Sequence, residues 1–503
     1  MAPVQVPFSS RLLVPIQLQA DSERPLHRQI YGQLRAAILE GRLERGTRLP
    51  STRALATQLR VSRNTVLNAF DQLLAEGYLD AHVGSGTRVA AAPPEDRVAS
   101  ASPLTGDQGA RRGPSARGRL LASTPVSVGR RPTDAPAGAA RAFRAGVPDL
   151  EAFPFAVWSR LAARRWRDPP QALLDYADPA GYWPLREAIA RYLVTVRAVR
   201  CEPEQVLIVS GSQQALDVAA RVLLDPGDVV WMEDPGYAGA RGALIAAGAD
   251  VCPVPVGPLG LEVDAGRALA PAARLAYVTP SHQYPLGVAM PLAQRLALLE
   301  WARSADAWIL EDDYDSEYRY ANRPLAALQG LDDDGRVVYI GSFSKVLFPG
   351  LRLGYLVAPH ALVQALTATR ALVDRHPPTV DQAVLADFIA QHHFERHLHR
   401  MRALYAERQA AFVSEARQQL AGRLEVAPAD TGMHLVGWLE GSPGDSSDTR
   451  AAEAASAAGL EVQPLSAYTR GAPIHPGLVL GYAAVPIDEI RDGVRRLARA
   501  LAG

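Results

Sequence analysis

The stretch Val337-Val338-Tyr339-Ile340-Gly341-Ser342-Phe343-Ser344-Lys345 contains the one lysine among the 53 basic residues of the chain, directly after a run of apolar residues. The run predicts a buried strand, and the residues after it predict a loop at the carboxyl end of that strand. Arginine stays charged, whereas the amine of a lysine can condense with an aldehyde to a Schiff base. Lys345 is therefore predicted to form an imine. The alternative is that a GC-rich genome depleted lysine and left one by chance.

Five more apolar runs of strand length lie at residues 206–209, 229–232, 275–279, 308–310 and 354–357. Helical patterns separate them, which indicates an α/β fold with a mostly parallel sheet and helices on both faces. Polar segments follow five of the strands and begin at Ser210, Glu233, Ser281, Glu311 and Ser342. Because ligands bind at the carboxyl ends of the strands in such sheets, these segments are predicted to line one crevice.

The side chains of this crevice predict a cofactor. A Schiff-base lysine, an acid for a pyridine nitrogen and a phosphate cup together describe pyridoxal 5′-phosphate (PLP). Asp312 is expected to keep the pyridine nitrogen protonated, Tyr314 to hydrogen-bond the phenolic oxygen of the ring, and Tyr237 to stack on the ring face. Taken one at a time, these residues have equally good alternatives. Asp312 is compatible with a solvated acidic loop, and Tyr237 is compatible with an ordinary core position. Their common placement at strand ends favours the site.

The phosphate cup is expected at the start of the helix that follows the first of these strands. Ser212 and Gln213 begin this helix and offer backbone N–H groups, together with the helix dipole, to a phosphate. Ser342 and Arg352 are expected to complete the cup.

The composition predicts a globular protein of two or more domains, since 48% of the 503 residues are apolar and 21% are charged. The sequence has no run of 18 apolar residues and no N-terminal targeting pattern, so a cytoplasmic protein without membrane contact is expected. Cys201 and Cys252 are the only cysteines. They are too few for a disulfide framework or a cysteine-based metal site, and no metal is expected.

The net charge of zero conceals an asymmetry along the chain. Residues 1–145 carry 20 Arg against 11 acidic residues, whereas the remainder carries 33 basic against 42 acidic residues. This split suggests a nucleic-acid-facing front part, although solvated surface charge would give the same count.

Three helices and a hairpin are predicted in this basic front part. The first helix covers residues 25–40, the second is capped by Ser51, and the third is capped by Ser62. Residues 77–89 then predict a strand, a glycine turn and a strand. The arrangement is a winged helix-turn-helix, in which the polar first turn of the last helix suits a major groove.

Residues 20–90 resemble the GntR family of bacterial transcription regulators. The matching motifs are Leu-Pro-Ser-x-Arg at 49–53, Val-Ser-Arg-x-Thr-Val at 61–66 and the Gly-x-Gly of the wing at 84–86. The resemblance implies double-stranded DNA as the partner, with the wing near the minor groove. The expected DNA contacts are Arg53, Ser62, Arg63, Asn64, Thr65 and Gly84. A three-helix packing module that binds no DNA is the alternative.

Residues 91–140 are rich in Ala, Pro, Gly, Ser and Arg without a sustained period, which predicts a flexible linker. Residues 141–503 resemble fold type I aminotransferases, which implies a PLP domain with a small α/β C-terminal part. The runs at 311–320 and 342–355 resemble one subgroup, the MocR-type regulators, in which a GntR-like head is fused to an aminotransferase-like body. This resemblance implies a homodimer.

Two departures from aminotransferases bear on activity. These enzymes usually clamp the substrate carboxylate with an arginine near the C-terminus, and the corresponding residues 477–482 contain none. Tyr284 stands where many of them have the Asn that precedes Pro-Thr-Gly. The body is therefore expected to sense a ligand rather than to turn it over, although Arg470 or another arginine remains a possible substitute.

Three functions stay open from the sequence. The favoured one is a transcription regulator whose PLP-bearing body changes DNA affinity when PLP, an amine or an amino acid arrives. The second is a functioning aminotransferase with a DNA-binding head, and the third is a DNA-binding protein whose body only dimerises. The set of Lys345, Asp312 and Tyr314 weighs against the third, and the missing arginine weighs against the second.

Operator binding is predicted to weaken steeply with salt, because each DNA phosphate that the basic head neutralises releases counterions. For about six to ten neutralised phosphates, raising the salt from about 50 to about 200 mM lowers affinity by roughly 10³- to 10⁵-fold. Titration of the DNA upstream of the protein's own gene at several salt concentrations measures this slope. A slope near zero would contradict binding through the basic front part.

Overall fold

The computed structural model describes residues 14–19, 22, 24–82, 86–91, 113–125, 141–320 and 326–502. The chain divides into two compact units, Met1–Gly113 and Pro114–Gly503. Within the described ranges, no helix combines the length and the hydropathy that crossing a membrane requires.

The first unit contains the predicted winged helix-turn-helix. Its elements are α1 (Leu26–Leu39), α2 (Thr52–Leu59), α3 (Arg63–Ala75), β1 (Leu79–His82) and β2 (Gly86–Val89). The two strands pair antiparallel. Ser51 and Ser62 cap α2 and α3 as predicted, because their hydroxyls accept hydrogen bonds from the backbone N–H groups of Ala54 and Thr65. Gly84, one of the predicted DNA contacts, lies outside the described residues.

One helix lies in the stretch predicted as a linker. This helix, α4 (Ala116–Ser123), begins at Ser115, whose hydroxyl accepts a hydrogen bond from the Gly118 backbone N–H. None of its residues is buried, so it carries no apolar period by which the sequence could have indicated it. Arg117 donates a hydrogen bond of 2.5 Å to the Ala246 carbonyl.

An eight-stranded sheet forms the centre of the second unit. Its strands are β3 (Val206–Val209), β4 (Val229–Asp234), β5 (Asp250–Gly257), β6 (Gly260–Leu261), β7 (Leu275–Val278), β8 (Trp308–Asp313), β9 (Val337–Ser342) and β10 (Gly354–Val357). Their order is β3-β10-β9-β8-β7-β4-β5-β6. The pairs from β9 through β8, β7 and β4 to β5 are parallel, whereas β10 runs antiparallel to both of its neighbours.

The six predicted strands are all present, whereas β5 and β6 were not predicted. Strand β5 contains Pro253 and Pro255, which obscured it in the sequence but are tolerated near a sheet edge. Strands β4 and β8 run on through their acidic residues, so Asp234 and Asp313 end strands rather than belonging to the loops after them.

Helices cover both faces of this sheet. They are α5 (Phe155–Arg167), α6 (Trp183–Arg197), α7 (Ser212–Leu223), α8 (Ala238–Ala247), α9 (Val263–Leu269), α10 (Leu292–Ser304), α11 (His360–Asp374), α12 (Thr379–Ala390) and α13 (His393–Gln419). Along β3, Val206 and Ile208 pack with α6, α12 and α13, whereas Leu207 and Val209 pack with α7, α8 and α11. Since side chains alternate between the faces of a strand, burial on both faces requires an uninterrupted apolar run.

A smaller α/β part follows as predicted. Its strands β11 (Leu424–Val426), β12 (His434–Leu439), β13 (Gln463–Pro464) and β14 (Gly477–Gly481) form an antiparallel sheet in the order β11-β12-β14-β13. Its helices are α14 (Ser447–Ala457) and α15 (Ile487–Ala500).

A buried ion pair connects the large sheet to α6. The guanidinium of Arg197 lies 2.7 Å from Asp313, and the two side chains are 3% and 2% exposed. Asp313 also accepts a hydrogen bond of 2.6 Å from the Tyr339 hydroxyl, and Arg197 donates one of 2.9 Å to Ser281. The end of β8 is thereby fixed to β9 and to the segment after β7.

Replacing Arg197 by Met is predicted to destabilise the second unit by about 3–5 kcal/mol, because it leaves the Asp313 carboxylate buried without its cation. The midpoint of urea denaturation measures the loss. Arg221→Met is the matched control, since it removes an ion pair with Asp217 whose arginine is 52% exposed. The control is expected to cost less than about 1 kcal/mol. Equal effects of the two substitutions would contradict the assigned role of the buried pair.

Candidate functional site

The structure brings all eight predicted cofactor-site residues into one cavity of about 220 Å³. They are Lys345, Asp312, Tyr314, Ser212, Gln213, Tyr237, Ser342 and Arg352. They come from the carboxyl ends of β3, β4, β8 and β9 and from the segments after these strands. The crevice predicted from the polar segments is therefore present.

Lys345 reaches into this cavity from the segment after β9. Its Nζ donates a hydrogen bond of 2.6 Å to the Gly146 carbonyl. Gly146 has φ +71°, a conformation that favours glycine, and a β-carbon there would lie 2.9 Å from Nζ. Burial lowers the pKa of Lys345, while Asp315 and Asp312 oppose the shift. Burial thus favours the neutral, nucleophilic amine.

Asp312 provides a buried carboxyl group on the wall of the cavity. Its Oδ2 accepts a hydrogen bond of 2.9 Å from Tyr277, whereas its Oδ1 has no hydrogen-bond partner among the described residues. Burial raises the pKa of Asp312 to about 7, and the hydrogen bond from Tyr277 opposes this rise. A buried carboxyl oxygen without a partner is suited to a charged N–H donor on a ligand.

The start of α7 forms an anion-binding corner. Gly211 precedes the helix with φ +90°, and a β-carbon there would lie 3.4 Å from Nη2 of Arg352. The same Nη2 donates a hydrogen bond of 2.8 Å to the Ser210 carbonyl, which holds the guanidinium at this end of the cavity. The backbone N–H groups of Ser212 and Gln213 lie in the first turn and have no partner within the helix. Positive charge, free N–H groups and the helix dipole together favour a phosphate.

Aromatic residues form another wall. The Tyr284 ring is perpendicular to those of Tyr237 and Tyr314, with centroids 6.0 and 5.7 Å away. The Tyr284 hydroxyl lies 2.9 Å from that of Tyr468. The Tyr314 hydroxyl lies 2.9 Å from Nδ1 of His282. The ligand contacts expected of Tyr237 and Tyr314 remain predictions.

Five residues around the cavity were missed in the sequence: Gly146, Tyr277, His282, Asp315 and His434. His282 and Asp315 lie in two of the polar segments that follow strands, so the pattern that predicted the crevice also pointed to these two residues. Gly146 and His434 come from distant parts of the chain, and Tyr277 looked like an ordinary strand residue. Burial lowers the pKa of His434 to about 3, so this histidine is neutral.

Arg352 is the one arginine among the described residues that line the cavity, and it lies at the anion-binding corner. Strand β14 supplies no arginine from the C-terminal part. The guanidinium of Arg470 donates a hydrogen bond of 2.7 Å to the Thr469 carbonyl, and Arg470 does not line the cavity. The described lining therefore has no second arginine for a carboxylate.

The predicted DNA contacts lie on α2 and at the start of α3. Arg53, Ser62, Arg63 and Asn64 are exposed, whereas Thr65 is half-buried. The Thr65 hydroxyl lies 2.8 Å from that of Ser62. The capping geometry thus leaves the first turn of α3 open to solvent, and the individual contacts with DNA remain predictions.

The fold of the second unit is that of an aminotransferase. The model of the family "Aminotransferase class I and II" matches residues 145–498. Among solved structures, LysN, the alpha-aminoadipate aminotransferase of Thermus thermophilus, is similar with a TM-score of 0.66 and 30% identity over 77% of this chain and 95% of that chain. That crystal contains LysN complexed with N-(5′-phosphopyridoxyl)-L-leucine.

The first unit matches "Bacterial regulatory proteins, gntR family" over residues 26–89. Over 96% of its length, the chain is 44% identical to the probable rhizopine catabolism regulatory protein MocR of Rhizobium meliloti, covering 95% of that protein. It is 32% identical to the pyridoxine biosynthesis transcriptional regulator PdxR of Corynebacterium glutamicum, over 95% of this chain and 96% of that protein. The chain belongs to the MocR-type regulators of the GntR family, which join a DNA-binding head to an aminotransferase-like body.

Asp312→Asn is predicted to stabilise the protein, stripped of small molecules, more at high pH than at low pH. The pKa of this carboxyl is about 7 in the folded protein and 3.8 ordinarily, so the folded state binds the proton more tightly. The free energy of unfolding therefore falls as the pH rises from about 4 to 7, and this loss is complete above that range. Asparagine cannot ionise, so the variant does not suffer this loss. Thermal midpoints of both proteins at about pH 4.5 and pH 8 measure the difference.

Asp264→Asn, at a carboxylate that is 97% exposed, is the control for this experiment and should show no such dependence on pH. A stabilisation by Asp312→Asn that is the same at both pH values would contradict the raised pKa of Asp312.

Proposed function

We propose that this protein is a transcription regulator whose aminotransferase-like body binds PLP and changes the affinity of the head for DNA in response to a ligand. The ligand is PLP itself, or an amine or amino acid that reacts at the same site. The cavity that joins Lys345, Asp312 and the start of α7, in a chain that also carries a gntR head, is the observation that carries the proposal. With DNA as its partner, the protein acts in the bacterial cytoplasm.

The residues of the cavity fit PLP at three points. Lys345 would hold the cofactor by condensation of its amine with the aldehyde, which releases water. Asp312, whose Oδ1 has no hydrogen-bond partner among the described residues, would hold the pyridine N–H, and the α7 corner with Arg352 would hold the phosphate. Bound there, PLP supplies an aldehyde carbon that captures amines and a ring that withdraws electrons.

The distribution of charge in the cavity favours sensing over sustained transamination. An α-amino acid substrate needs a cation for its carboxylate as well as one for the cofactor phosphate, and a guanidinium fits a carboxylate best. The described lining offers one arginine, at the phosphate corner. Tyr284 occupies the position at which many aminotransferases have asparagine and presents an aromatic ring instead.

PLP is the effector that we favour. The described lining has no carboxylate clamp, so PLP would be held mainly by Lys345, Asp312 and the phosphate corner, and binding of PLP alone can be the signal. The printed name of the PdxR relative concerns pyridoxine biosynthesis, which is consistent with control of vitamin B6 supply. An amine or amino acid effector would add contacts on the Tyr284 side of the cavity.

The proposal includes a homodimer. Trp166, Leu174 and Tyr176 line one groove on the second unit and are 61%, 60% and 73% exposed. Large apolar side chains grouped in this way are typical of a protein interface. A second copy of the chain is the partner that we propose, because two heads would then read two half-sites of an operator.

Loading with PLP is predicted to change the affinity of the wild-type protein for its operator, and Lys345→Ala is predicted to abolish this response. Gel-shift or anisotropy titrations of the DNA upstream of its own gene, with PLP-loaded and PLP-stripped protein, measure the effect. Lys345→Arg keeps the positive charge but not the covalent chemistry, so it should behave like Lys345→Ala. Tight binding that is identical in all states would exclude PLP as the signal. Sustained conversion of an amino donor and a keto acid would favour the aminotransferase alternative.

A further inference from the structure

A buried network beside Tyr314 has no part in the roles assigned so far. Nδ1 of His282 lies 2.9 Å from the Tyr314 hydroxyl and 3.0 Å from each carboxylate oxygen of Asp315. The side chains of His282 and Asp315 are each 1% exposed. Three oxygen atoms thus surround one ring nitrogen, which can donate or accept a hydrogen bond but cannot do both.

The second ring nitrogen of His282, Nε2, is buried against two glycines of the backbone. Nε2 has no hydrogen-bond partner in the described parts of the chain. Gly287 and Gly432 close this edge of the ring, since β-carbons at these positions would lie 3.1 and 2.5 Å from Nε2. A proton on Nε2 would therefore be buried without an acceptor, which is costly. The neutral ring therefore carries its proton on Nδ1, and the Asp315 carboxylate accepts a hydrogen bond from this N–H group.

The location of this proton decides the orientation of the Tyr314 hydroxyl. Because Nδ1 already carries a hydrogen, the Tyr314 oxygen can only accept from it, and the hydrogen of the hydroxyl must point elsewhere. Tyr314 lines the same cavity as Lys345, so an anionic oxygen of a ligand there would receive this hydrogen.

We propose that His282, held by Asp315, is a positioning residue that directs the hydroxyl hydrogen of Tyr314 into the cavity, where it is donated to the phenolic oxygen of PLP. This inference rests on the proposed binding of PLP. His282 does not touch the cofactor, and its effect passes through Tyr314. The same arrangement explains why glycines stand at 287 and 432, since larger residues would push the ring away from Asp315 and Tyr314.

A double-mutant cycle between His282 and Tyr314 tests the proposal. His282→Leu removes the donor, Tyr314→Phe removes the hydroxyl, and His282→Asn retains an N–H group near the position of Nδ1. The readouts are the affinity of stripped protein for PLP and the absorption spectrum of the bound cofactor. The first two variants are expected to lose about tenfold in affinity and to shift the absorption band alike. The double variant should be no weaker than Tyr314→Phe, and His282→Asn should lie closer to wild type.

Asp315→Asn keeps the ring in place and tests the assignment even where His282→Leu does not fold. Because a proton on Nε2 would have no acceptor, the new amide turns its carbonyl oxygen to Nδ1–H, and the ring keeps its tautomer. The spectrum of this variant should therefore stay close to that of wild type, whereas a spectrum like that of Tyr314→Phe would show that Nε2 carries the proton.

Three results would overturn the proposal. They are additive losses in the double variant, a wild-type spectrum in His282→Leu or a spectrum like that of Tyr314→Phe in Asp315→Asn, and a stoichiometric metal that is lost with His282. The last result bears on the assignment because His282, Asp315 and His434 place possible ligand atoms within 4.8 Å of one another. Failure of the wild-type protein to bind PLP would refute the proposed function instead.

Discussion

The pairing of Asp313 with Arg197 is the interaction on which the site depends. Successive residues of a strand face opposite sides of the sheet, so fixing Asp313 on one face fixes Asp312 on the other. Asp313 meets Arg197 and the hydroxyl of Tyr339, whereas Asp312 meets Tyr277 and the cavity. A shift of β8 by one residue would exchange the two carboxylates and destroy both the ion pair and the cavity wall.

Burial of acidic groups without matching cations is the energetic cost of this site. Burial raises the pKa values of both Asp312 and Glu233 to about 7. Glu233 offsets part of the cost through hydrogen bonds from Thr279 and Gln283. Asp312 has one oxygen with no such partner among the described residues, so a cationic ligand group would relieve the cost there. A ligand that completes the site would therefore stabilise the folded body, which is the differential stabilisation that the proposed sensing requires.

Both units present a helix N-terminus at a candidate binding site, in different surroundings. At the start of α3, Ser62 caps the helix and leaves an exposed polar turn that is suited to DNA. At the start of α7, Gly211 takes the cap position with a positive φ, so that backbone N–H groups and Arg352 meet in a cavity suited to a phosphate. Helix N-termini favour anions in general, and burial distinguishes the exposed turn, which is open to a polymer, from the cavity, which admits a small molecule.

The sequence alone was sufficient to indicate the head, six strands of the body with the polar segments after them, and eight of the residues that line the cavity, because capping motifs, apolar runs and the segments after strands are local patterns. It did not indicate β5, with its two prolines, or α4, which buries nothing. The contact of the Gly146 carbonyl with Lys345 and the position of His282 between Asp315 and Tyr314 became apparent from the folded chain alone. Those contacts join residues 32 to 199 positions apart, and no local period records which distant backbone closes on which side chain.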